Sequence, residues 1–252
     1  MRSALCLALC LPLTACFTLP KPRSPVLALS FEHTGERRPH TLVVLLPGRL
    51  NTPEEFVEQG FVDALRKRDL AVDLRIVDAH LGYYLGRALE KRLREDIFAP
   101  ARRRGYDTIW VAGISMGGLG AFLYAGAHPE DVDGIFAMAP YLGEEEAVEE
   151  VERAGGLLAW KPGILDPADY SRRLWAWLQG YAPPGATRPP LYLGYGTDDR
   201  FALSNAMLAR HLPPERVLRE PGGHDWPVWL KLWERFLDAG PFERLHPEVR
   251  RP

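Results

Sequence analysis

Cysteine is nearly missing from this chain. Three occur in 252 residues, and all of them fall within the first sixteen. The rest can therefore build neither a disulfide scaffold nor a zinc site made of thiolates. No run of 18 or more apolar residues occurs, which leaves no conventional membrane-spanning helix. Excess charge is lacking too. With 31 Lys and Arg against 33 Asp and Glu, the net charge is −2, without the basic excess of a nucleic-acid binder. Gly and Pro, 23 of each, are too few and too scattered for a collagen-like or disordered chain. There is no H-E-x-x-H, no paired histidine and no G-x-G-x-x-G followed by an acidic strand end, so neither a metal nor a dinucleotide cofactor is implied. What is present is ordinary: 46% hydrophobic and 25% charged residues, enough for one large core.

The chain opens MRSALCLALCLPLTACFTLP. Arg2 is a short positive region and Ala4 to Leu13 an apolar run too brief to span a bilayer, the pattern of a secretory signal. Leu13-Thr14-Ala15-Cys16 resembles the lipobox of bacterial lipoprotein precursors, which implies cleavage after residue 15 and acylation of Cys16. The alternative is a plain signal peptide with an incidental cysteine. Acylation would make a lipid bilayer a partner of the protein. Phe17, in place of the aspartate associated with inner-membrane retention, points to the outer membrane of a bacterial cell envelope. Residues 16–40 hold Pro20, Pro22 and Pro25 and little periodicity, and read as a tether.

From residue 41 the pattern alternates. Apolar runs at Thr41–Leu46, Leu74–Val77, Thr108–Ala112, Gly134–Ala139, Leu191–Tyr195 and Arg216–Leu218 read as strands. Between them lie amphipathic segments. Thr52-Pro53-Glu54-Glu55 starts one helix carrying Phe56, Val57, Phe61, Ala64 and Leu65. Leu85, Leu89, Leu93 and Ile97 mark another that ends near Pro100. Trp229, Leu232, Trp233, Phe236 and Leu237 mark the last, stopped by Gly240. Alternation of this kind predicts an α/β fold with a mostly parallel sheet covered on both faces. The domain is expected over 41–240, with 241–252 as a tail. Residues 144–190 break the rhythm and read as a small helical cap, or else as surface decoration.

The chemistry centres on Gly113-Ile114-Ser115-Met116-Gly117, between a buried strand and a helix. A serine on such a sharp turn takes a strained conformation, and glycines on either side avoid collisions with neighbouring backbone. The helix start also favours negative charge developing near Ser115. Serine needs a base and an orienting acid, in the chain order serine, acid, histidine. His211 falls within a helix-like stretch and His246 in the polar tail. His224, in the glycine-rich Pro221-Gly222-Gly223-His224-Asp225-Trp226 before the last helix, is where the base belongs. Gly196-Thr197-Asp198-Asp199 offers two acids. The amides of Met116 and of Arg49, with Leu50 as the alternative to Arg49, are expected to bind an oxyanion. His80, Tyr83 and Tyr84 follow the end of a strand, where they are expected to line a pocket, the alternative being that Tyr83 and Tyr84 only pack beneath the cap.

These motifs together resemble the α/β-hydrolase family over about residues 41–240, and most of all its esterase D-like and enterochelin-esterase-like branch. The likeness rests on G-x-S-M-G-G, G-T-x-D-x-F and P-G-G-H-D-W. Pro47-Gly48-Arg49 stands where many relatives have His-Gly. The resemblance implies a serine esterase with Ser115, Asp199 and His224 as its triad, acting on a small-molecule ester or thioester. Its G-x-x-D spacing selects Asp199 and leaves Asp198 as a turn residue. A surface lipoprotein that keeps this fold without catalysis is the alternative, and the presence of all three residues argues against it.

Overall fold

The computed structural model describes residues 20–34, 40–182 and 188–242; Cys16, His246 and most of the expected signal and tail lie outside them. Seven strands form one sheet: β1 (Ala28–Phe31), β2 (Thr41–Leu46), β3 (Val72–Val77), β4 (Thr108–Ile114), β5 (Gly134–Met138), β6 (Leu191–Gly196) and β7 (Val217–Glu220). Their order is β1-β3-β2-β4-β5-β6-β7. β1 runs antiparallel to β3, and every other pairing is parallel. Leu42 to Leu46 have no exposed surface, as expected of a strand covered on both sides. The two faces alternate along it. Leu42, Val44 and Leu46 enter one core, and Val43 and Leu45 the other.

The helices are α1 (Pro53–Glu58), α2 (Phe61–Arg66), α3 (Leu81–Leu85), α4 (Leu89–Leu93), α5 (Ala99–Arg103), α6 (Met116–Ala127), α7 (Glu145–Arg153), α8 (Tyr170–Leu178), α9 (Ala202–Ala209) and α10 (Trp226–Ala239). One core packs the sheet against α4 and α6, while the other packs it against α1, α2 and α10. Trp233 Nε1 in α10 donates to the Phe61 carbonyl at 3.0 Å and ties the last helix to α2.

Three sequence expectations change. Residues 28–31 lie in the segment read as a tether, yet Ala28 to Phe31 pair with Val77 to Leu74. Four residues among prolines carry too little periodicity to announce a strand, and it forms because the edge of β3 needs a partner. The helix expected from Pro53 to Leu65 is two, broken where Gly60 takes φ +86°. The helix expected to end near Pro100 continues to Arg103. A π-helical turn at Arg94–Phe98 lies between α4 and α5, which is how a helix makes room for a proline ring. Leu85 is not on its stripe, because Arg87 at φ +52° separates α3 from α4.

The excursion after β5 contains α7 and α8. Leu157, Trp160, Leu174 and Trp175 are buried in the same core as α6, and Trp177 lies 5.9 Å from the Phe122 ring of α6. It is thus part of the packed body.

Candidate active site

Every parallel strand ends at the same edge, so the loops after β2, β4, β5, β6 and β7 gather there. Ser115 lies between β4 and α6 with φ +54° and ψ −114°, a conformation a serine holds only when its surroundings enforce it. Its amide donates to the Met138 carbonyl at 2.9 Å, and its carbonyl accepts from Tyr141 at 3.0 Å. A Cβ on Gly113 would fall on the Gly117 carbonyl, and one on Gly117 would fall on the Leu46 carbonyl. The two glycines therefore let the turn close on itself and against the end of β2.

The second half is built by β6 and β7. A Cβ on Gly196 would fall on the Gly222 carbonyl, so the loops after these strands approach more closely than any side chain permits. That contact brings His224 Nδ1 to 2.8 Å from Asp199 Oδ2. The Asp199 side chain has no exposed surface. Its other oxygen accepts the Phe201 amide at 2.7 Å. The rings of Phe201 and Trp229 stand nearly perpendicular to the imidazole, each 5.0 Å away. A histidine bonded at Nδ1 and flanked by two rings has a fixed orientation. The Ser115 hydroxyl makes no hydrogen bond among the described residues.

Met116 begins α6, so its amide has no partner within the helix. Arg49 lies in a turn closed by Asn51 N donating to the Gly48 carbonyl at 3.2 Å. Its amide is free of backbone partners among the described residues, and the turn lies beside the elbow, with Leu46 and Pro47 against Gly117.

Neither a protein-family model nor a curated protein matches this sequence. Solved structures do. S-formylglutathione hydrolase from Staphylococcus aureus superposes with a TM-score of 0.55 at 15% identity, over 87% of this chain and 98% of that one. Est1E from Butyrivibrio proteoclasticus, with ferulic acid bound, gives 0.55 at 17%, over 84% and 92%. A monoacylglycerol lipase from Paleococcus ferrophilus gives 0.52 at 14%, over 85% and 99%.

The chain has the α/β-hydrolase fold.

Within this α/β-hydrolase fold the three expected pocket residues do different things. His80 caps α3, its Nδ1 accepting the Gly82 amide at 3.1 Å. Tyr83 is fully buried, and its hydroxyl accepts the Arg23 amide at 3.0 Å. Its ring packs in the core shared with α4 and α6. Tyr84 reaches the elbow, donating to the Met116 carbonyl at 3.1 Å. Burial holds its phenol well above the ordinary range.

Sequence reasoning missed the turn after β5. Ala139 takes φ +45°, Pro140 packs on Gly118, and Tyr141 holds the Ser115 carbonyl. The Tyr141 ring lies 5.5 Å from that of Phe201. Its hydroxyl is 3.2 Å from that of Tyr170, which donates to Glu144 Oε1 at 2.6 Å. The hydrogen bonds from Tyr170 and Tyr141 hold the Glu144 carboxyl below its usual range. The insertion thus touches the candidate site through Tyr170. Only the G-x-S-x-G signal pointed to this region, and nothing local marks Tyr141. Among the described residues, His128, Glu130 and Asp131 form one metal-sized group, but Arg94 already pairs with both carboxylates at 3.3 and 3.6 Å.

Proposed function

We propose that the protein is a serine hydrolase of carboxylic esters, anchored to a bacterial membrane through acylated Cys16. The observation that carries the catalytic reading is the Asp199–His224 hydrogen bond of 2.8 Å, on the sheet edge that also holds Ser115 in a strained turn. Ser115 attacks the acyl carbon while His224 Nε2 takes its proton. Asp199 holds the other ring nitrogen and stabilises the imidazolium. The amides of Met116 and Arg49 receive the oxyanion. The carbon–oxygen bond of the ester then breaks, the alcohol leaves with the proton from His224, and water releases the acid from Ser115 by the same steps in reverse. The reading agrees with the ester-cleaving neighbours, whose low identity carries the fold alone. Thioesters react by the same route.

The test is labelling with a fluorophosphonate probe together with turnover of a chromogenic ester. Ser115→Ala should abolish labelling and lower turnover by several orders of magnitude while folding normally. Labelling that persists in this variant removes Ser115 from the mechanism. The anchor is tested on the same preparation. Cys16→Ser should leave the membrane fraction, and firm retention there would mean that another device anchors the chain.

A further inference from the structure

The first described residues do not hang free. The Pro20 carbonyl and the Pro22 ring lie against Gly82 and Gly86, at the two ends of α3. The Arg23 backbone is bound by the Tyr83 hydroxyl. The Val26 amide donates to Asp96 Oδ2 at 2.8 Å, and the Leu27 carbonyl accepts from Asp78 at 2.8 Å. Asp78 directly follows β3, and α3 starts three residues later, so this segment is pinned at the strand ends. That is the edge on which Ser115 stands.

Cys16 is four residues before Pro20, and four residues reach at most about 14 Å. A domain of this length has a radius of gyration of about 18 Å, and hence a width of about 45 Å. A bilayer holding Cys16 is thus within reach of the Ser115 edge and out of reach of the opposite one.

The surface agrees. Leu27, Leu50, Leu85 and Leu203 are exposed by 46%, 82%, 65% and 51%. They stand at the ends of β3, β2, β3 and β6 respectively: Leu27 beside Asp78, Leu50 after β2, Leu85 in α3, and Leu203 at the start of α9. The loops entering the strands at the opposite edge carry no exposed large apolar side chain among the described residues. The other three, Val57, Leu158 and Ile164, lie on α1 and on the insertion. Next to the leucines, Arg49, Arg87 and Arg200 are exposed and form no ion pair among the described residues. Of the carboxylates nearby, Asp198 accepts the Gly222 amide, Glu144 accepts the Tyr170 hydroxyl and Glu146 pairs with Arg172. Aliphatic side chains beside unpaired guanidinium groups fit an anionic lipid surface.

Resting on the reading of Cys16 as acylated, we propose that the Ser115 edge lies on the anionic bilayer that holds the anchor, and that the substrate class is the acyl ester of a lipid in that bilayer. Such an ester meets Ser115 from the membrane side. The carbon–oxygen bond breaks as in the general scheme, leaving a lipid alcohol and a fatty acid.

The experiment uses the full acylated chain in phosphatidylcholine–phosphatidylglycerol vesicles. With Cys16 blocked, Leu85→Cys and Glu215→Cys each give one labelling site, at the catalytic edge and at the turn before β7 on the opposite edge. A bimane label at 85 should be quenched several-fold more by nitroxide lipids than one at 215. Equal or reversed quenching in an acylated protein overturns the proposal while leaving the anchor intact. A Cys16 peptide without acyl mass overturns the anchor reading and the orientation with it. As a second arm, L27D/L85D should hydrolyse a long-chain glycerol ester in vesicles roughly tenfold more slowly, with hydrolysis of a soluble short-chain ester unchanged. Equal losses on both esters, or none on either, overturn the lipid substrate class.

Discussion

Asp198 and Asp199 are consecutive residues with opposite surroundings. Asp199 is buried and bonded to His224 Nδ1 at 2.8 Å. Asp198 is exposed, and its Oδ2 accepts the Gly222 amide at 3.2 Å while its own amide donates to the Gly222 carbonyl at 2.9 Å. One carboxylate reaches the imidazole, and the other ties together the two loops that bring it there. Asp199→Asn should lower ester turnover by up to ~10⁴ without unfolding, because an amide fixes the wrong tautomer. Asp198→Asn keeps one acceptor for the Gly222 amide and should stay within about tenfold of the parent. Turnover and circular dichroism on both variants check this, and the reverse order would make Asp198 the acid.

Gly117 tests the elbow itself. An added Cβ meets the Leu46 carbonyl, which is backbone within a central strand and cannot swing aside. Gly117→Ala should therefore cost about 1–3 kcal/mol of stability, roughly 2–4 °C in melting temperature for each kcal/mol, and lower turnover as the Ser115 turn shifts. A variant with unchanged melting and turnover would show that β2 and the elbow are not held in this contact.

His211 gives a pH dependence away from the site. Partial burial, with a smaller contribution from Arg210, lowers its pKa below the ordinary 6.5. The unfolded chain then binds a proton that the folded one resists, so stability is lost as pH falls through 6.5 toward the folded value. The melting temperature of the parent should drop more between pH 7.5 and pH 5.5, on the order of one unit either side of that value, than that of His211→Gln. Equal drops in both proteins would assign the acid sensitivity to other groups.

The sequence alone determined much of this protein, because the features concerned are local demands on the backbone. A buried strand needs an unbroken apolar run, as in Thr41–Leu46. A serine at φ +54° needs glycines two residues to either side, as at Gly113 and Gly117. A helix after a glycine-rich loop needs a cap, and Asp225 supplies it by accepting the Val228 amide. Such requirements are written within a few residues of where they act. The tertiary structure decided the rest. Ala28–Phe31 become a strand only because β3 offers an open edge. Tyr83 and Tyr84 are neighbours of the same type, and only packing sends one to the Arg23 backbone and the other to the elbow. Tyr141 has no local signature, since its place depends on Ala139 and Pro140 meeting α6. The G-x-x-D spacing already favoured Asp199 over Asp198, but the meeting of Asp199 with His224 follows from Gly196 touching Gly222, 26 residues later in the chain. Contacts between such distant segments arise when the sheet assembles, so no short window of sequence contains them.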